Sequence, residues 1–139
     1  MSNRKSLEDL VTRVENHLEC WKQFSHYVGL ARSKKFTAED EAQFLEIKCV
    51  ITQDLEQLLA TVDWPSLSRD EIHQLLSSVP SLRSLSDAND TNSRAVEAQW
   101  HKLFINFQSL LGQLKVKRKE FEGRSILSSL FKKRSPVDK

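Results

Sequence analysis

Glycine and proline are scarce in this chain: Gly29, Gly112 and Gly123, and Pro65, Pro80 and Pro136, are all that 139 residues contain. A chain with so few turn residues has few places to reverse direction, so its elements must be long. Glycine poverty also excludes chemistries. Wrapping a phosphate with backbone amides needs clustered glycines, and the nearest pair, Gly112 and Gly123, fits neither a Walker A loop nor a GxGxxG turn. No serine or cysteine stands in the glycine-flanked elbow that exposes a nucleophile. Cys20 and Cys49 have neither the density of a disulfide scaffold nor CxxC spacing, and read as small buried hydrophobes. No apolar run approaches the roughly 18 residues of a membrane span, and MSNRKSLEDLV lacks the apolar stretch of a signal peptide. A cytoplasmic protein of one domain is expected.

What is present is a helix-former's composition with 29% charged residues. Net charge is only +2 but is unevenly placed. Residues 115–139 hold nine Lys/Arg against three Asp/Glu, a segment charge of +6, leaving twelve basic and sixteen acidic residues, or −4, for positions 1–114.

Apolar residues recur at helical spacing through four segments. Leu7, Leu10, Val14, His17, Trp21, Phe24, Val28 and Ala31 form one face of a helix expected over 6–32, capped at Ser6 and stopped in Arg32-Ser33-Lys34-Lys35. Thr37-Ala-Glu-Asp40 starts a second, over 37–62, with Phe44, Ile47, Ile51, Leu55, Leu58 and Val62 inward and Leu45, Cys49 and Leu59 widening the stripe. Ser68-Arg-Asp-Glu71 is a capping box for a short helix over 68–79. After a polar connection, a long helix over 92–122 carries Val96, Trp100, Leu103, Phe107, Leu110, Leu114 and Phe121, with Gly123 as its C′ residue. At 1.5 Å per residue it would be about 45 Å long. Leu55–Leu67 (LEQLLATVDWPSL) and Ile72–Leu82 (IHQLLSSVPSL) look like a duplication. They are better read as one way of stopping a helix used twice, since two units are too few for a repeat array.

These segments predict an all-α, antiparallel helical bundle of three long helices and one short helix over residues 1–123, followed by a basic amphipathic tail over 124–139. No catalytic, metal or cofactor site is expected. Asp70-x-x-His73 is a single Glu-x-x-His-like pair on the shortest helix, and His17 lacks a second inward ligand, so it reads as a seam histidine bonded to one polar partner or sitting at the edge. A non-catalytic module that holds an amphipathic partner helix is the leading expectation, with Trp100, Phe104, Phe107 and Leu111 lining the groove. The alternative is an anionic surface, nucleic acid or acidic membrane, met by Lys115, Lys117, Arg118, Lys119, Lys132, Lys133 and Arg134. A homodimer through the C-terminal segment, using Phe121 and the apolar residues from Ile126 to Phe131, competes with a fold-back of that segment over the bundle.

FLEIKCVITQDLEQLLATVD, residues 44–63, and ANDTNSRAVEAQW, residues 88–100, with Asn89 and Asn92 three apart, resemble the second hairpin helix and the final-helix entry of small all-helical flagellar and type III secretion export chaperones. The resemblance covers roughly residues 7–114. It departs at Ser93, where that family commonly has glycine, and in the basic tail. It implies a helical hairpin, a final helix and the escort of an amphipathic client helix until export.

Overall fold

The computed structural model describes residues 2–62 and 64–134, with side chains for 5–62 and 64–123. Five helices make up the fold and no strand occurs among the described residues: α1 Ser2–Arg32, α2 Ala38–Thr61, α3 Arg69–Ser78, α4 Leu82–Asp87 and α5 Asp90–Arg134. The fold class is all-α, with one helix more than the apolar spacing predicts.

Each boundary has a local cause. α1 begins at Ser2, ahead of the expected cap, so Ser6 lies inside it. It ends where Lys34 takes a left-handed φ of 58°. There the Lys35 amide donates to Leu30 O at 2.9 Å and the Lys34 amide to Ala31 O at 3.0 Å, a Schellman closure built without glycine. Thr37 and Asp40 cap α2 reciprocally, the Asp40 amide donating to Thr37 Oγ1 at 3.1 Å and the Thr37 amide to Asp40 Oδ2 at 2.9 Å. The shorter aspartate therefore closes a full capping box. At Ser68 the hydroxyl accepts the Glu71 amide at 3.2 Å, whereas the Glu71 carboxylate reaches toward Lys102 Nζ at 3.9 Å.

α2 and α3 end at the two copies of the repeated stretch, with Val62 and Val79 as C-caps before Pro65 and Pro80. The second Pro-Ser-Leu is also a start: the Ser84 amide donates to Ser81 Oγ at 3.0 Å, and α4 follows. Its first amides, on Leu82 and Arg83, donate to the Glu41 carboxylate of α2 at 3.1 and 2.7 Å. Leu82 and Leu85 are buried. The expected polar connection is thus a one-and-a-half-turn helix whose positive end is held by an acid 41 positions away. α5 opens at Asn89, whose Oδ1 accepts the Asn92 amide at 2.8 Å. That cap accounts for Asn89, while residue 92 takes part only through its backbone amide.

Two expectations fail at α5. Gly123 does not end it: none of the glycines has positive φ, and the helix runs on through Arg134. Its 45 residues span about 67 Å. Unbroken, it cannot turn back over the bundle. Arg32 at the end of α1 meets Asp90 at the start of α5 at 3.3 Å, so the residues by which α5 outruns the 31 of α1 all lie at its C-terminal end.

The core is continuous. Val14, Trp21, Phe24, Ala31, Phe44, Ile51, Leu55, Val79, Leu82 and Phe107 are fully buried. Following α1 from Arg13 through His17 to Phe24, the partners on α2 step back from Gln57 through Asp54 to Phe44. Following it from His17 through Trp21 to Arg32, the partners on α5 step back from Phe107 through Trp100 to Glu97. α3 and α4 fill in beside them, α4 against α1 and α3 against α5. Of the widening residues of α2, Leu59 packs against the core, but Leu45 is 48% exposed and Cys49 is exposed, since α1 and the α3–α4 segment already cover the rest of that helix. Cys20 is half-buried, so neither cysteine is a core residue.

Candidate functional site

Trp100, Phe104 and Leu111 occupy positions i, i+4 and i+11 of α5, within about 40° of one another around its axis. All three are only partly buried against the core. Trp100 is fixed at both ends: its Nε1–H donates to the Trp21 carbonyl at 2.8 Å, and its ring stacks on Phe104 with centroids 4.7 Å apart and planes 16° off parallel. The result is a flank of flat aromatic surface followed two turns later by an aliphatic side chain, with one side packed and one side open. Phe107, the fourth residue expected here, is not on this flank. It is fully buried, its ring 4.8 Å from His17. Around the axis Phe107 is only about 20° from Trp100, and that small rotation toward α1 turns a groove position into a core position.

Of the basic residues, Lys115 pairs with Glu15 of α1 at 3.4 Å. Lys117 and Lys119 are exposed and Arg118 is half-buried. Lys132, Lys133 and Arg134 lie on the last turn of α5, with side chains outside the described residues, as are those of the Ile126 to Phe131 segment. Phe121 is half-buried.

The polar arrangement that sequence spacing did not reveal is beneath the flank. His17, with no exposed surface, takes the Trp21 indole N–H on Nε2 at 3.0 Å and faces Asp54 Oδ2 from Nδ1 at 2.9 Å. Because an indole can only donate, Nε2 must accept, which puts the proton on Nδ1 and makes Asp54 its acceptor. The histidine has two polar partners, one more than expected. Burial pushes its pKa down, against the opposing pull of Asp54. Arg13 Nη2 approaches the other Asp54 oxygen at 3.9 Å and donates to Gln57 at 2.5 Å. A signal was available: a hairpin turned at Lys35 sets residue 17 opposite Gln53, next to Asp54.

With both nitrogens committed, His17 offers no free lone pair to a metal or a substrate proton. Among the described residues no three His, Cys, Asp or Glu side chains are grouped to hold a metal ion. His73 instead joins a surface cluster, its Nε2 3.2 Å from Glu56 Oε2, with Arg69 bound to the same carboxylate at 2.5 and 3.1 Å. Arg69 first, then His73, hold the Glu56 carboxyl below the usual range. Among the described residues no helix is long and apolar enough to cross a membrane. Compared with protein-family models, curated proteins and solved structures, the chain matches none.

Proposed function

We propose that the chain is a non-catalytic protein-binding module, an antiparallel helical bundle whose α5 flank receives an amphipathic partner helix, in the manner of the flagellar and type III export chaperones it resembles. One observation carries the reading: Trp100, Phe104 and Leu111 are partly buried at helical spacing on a single flank, where a closed core would have buried them. The reversed order of contacts along α1 with both α2 and α5 supports the antiparallel arrangement. The internal satisfaction of His17 supports the non-catalytic reading.

Magnitudes set the kind of complex. A fully buried large apolar side chain contributes about 1.5–3 kcal/mol, so three half-covered ones have on the order of 3 kcal/mol left to give. With a matching stripe on the partner, affinity in the micromolar range or weaker is expected, suited to holding and releasing. Cross-linking pulldown with the wild type and with a Phe104→Ser, Leu111→Ser variant, both checked by circular dichroism, tests it. The variant should recover the partner at least tenfold less; equal recovery removes the flank from the explanation.

A second reading rests on charge. α5 is one helix through Arg134, so Lys115, Lys117, Arg118, Lys119, Lys132, Lys133 and Arg134 all ride on it, in a segment with nine basic and three acidic residues. Such a helix end would bind acidic membrane or nucleic acid with strong salt dependence. Titrating the full chain and a truncation after Glu122 against phosphatidylserine vesicles and duplex DNA, at low and moderate salt, separates the two readings. Homodimerisation through the same end is read out by sedimentation of the full chain and of the truncation.

A further inference from the structure

We propose that His17 and Asp54 form an acid-opened latch between α1 and the C-terminal half of α2. The latch stands whether or not the α5 flank receives a partner. It rests on the donor count at a buried ring. The neutral imidazole is matched on both sides, donating from Nδ1 to Asp54 Oδ2 at 2.9 Å and accepting on Nε2 from the Trp21 indole at 3.0 Å. A second proton can go only to Nε2, where it would face the Trp21 N–H, donor against donor. The indole cannot reverse its role. Trp21 cannot easily swing away either, since it is fully buried, its ring lies 5.2 Å from Phe24, and its carbonyl holds the Trp100 indole. Both residues lie on α1, so the clash is relieved only when the ring turns or water reaches Nε2, and the closed seam with α2 admits neither.

The groups facing His17 fix the direction. From α2 it meets Asp54, which favours the proton and is the charged group acting on it among the described residues. Within α1, Arg13 sits 3.9 Å from the far oxygen of Asp54 and drains part of that charge, and the half-buried Cys20 thiol is held neutral by burial and by the same carboxylate. From α5 the contact is the apolar ring of Phe107. The charged residues of α4, Arg83 and Asp87, are exposed near the opposite end of α1, where Lys34 binds Ser86 O. Burial outweighs Asp54, so the closed seam resists protonation. For a histidine whose pKa is lower closed than open, closure is fully stable above about 6.5, the open-state value, and weakens as pH falls from there toward the depressed value.

NMR titration of the histidines, with amide exchange along α2 converted to protection factors, tests the latch. His17 should titrate below the ordinary histidine value of about 6.5. Protection over residues 51–61 should be constant above about pH 6.5 and fall below it, approaching tenfold per pH unit. His17→Gln should abolish that slope. Asp54→Asn, which keeps an acceptor but removes the charge, should move the His17 titration further down. Titration of His17 at or above about 6.5, α2 protection independent of pH in the wild type, a slope that survives His17→Gln, or an Asp54→Asn shift upward or of zero size would each overturn the proposal.

Discussion

Single side chains in this protein are placed by hydrogen-bond arithmetic as much as by apolar spacing. His17 falls on an apolar step of α1 because its two nitrogens are satisfied there by Trp21 and Asp54. Removing the acceptor leaves a buried N–H without a partner. Asp54→Ala should therefore lower stability by about 1–3 kcal/mol, seen as a lower urea midpoint with unchanged slope. Lys34 is the opposite case, a residue whose conformation costs energy. Its φ of 58° is one that glycine adopts freely and lysine does not. Its ammonium recovers part of that cost by donating to Ser86 O at 2.7 Å, but on the exposed surface such a bond contributes little. Lys34→Gly should raise stability by about 0.5–1 kcal/mol in the same unfolding assay. A loss would mean that the Lys34 to Ser86 contact outweighs the backbone strain.

At the scale of elements, the legible parts of the sequence were those with three or more turns of periodic apolar residues, because many positions then report the same face. The inward residues of α1, α2 and α5 are mostly those that the spacing picks out, and Val11 and Leu18 join them. α4 was illegible for the converse reason. Six residues give one apolar pair, Leu82 and Leu85, and the stabilising acid, Glu41, is remote in sequence. Glu41→Ala should uncap it, raising amide exchange at Leu82 and Arg83 for a cost of about 1 kcal/mol. The end of α5 was misread because glycine near a helix end has two meanings. As C′ it needs positive φ; inside a helix it only weakens it. Gly123 is of the second kind, and a Cβ built on it meets nothing within 4 Å. Gly123→Ala should thus stabilise by about 0.5–1 kcal/mol, whereas at a C′ position the same change would destabilise.

For the whole molecule, the proposed binding role rests on the division of α5 into a buried face and a half-open flank. Leu103, Phe107, Leu110 and Leu114 close the core, while Trp100, Phe104 and Leu111 leave part of their surface to solvent. Sequence spacing put Phe107 with the second group because a stripe of seven apolar positions does not reveal which edge α1 will cover. The identity of the open edge is a tertiary fact, set by the Trp100 to Trp21 hydrogen bond and the contact of Phe107 with His17. The most direct measurement is site-specific photo-cross-linking in cells that naturally make the protein. A photoreactive phenylalanine is placed at Phe104 or Leu111 on the flank, or at Ile105 or Gln113, which are exposed away from it. The account predicts partner cross-links from positions 104 and 111, mapping to a helical segment of the partner, and none from 105 and 113. Cross-links from 105 and 113 alone, or equally from all four positions, would contradict it.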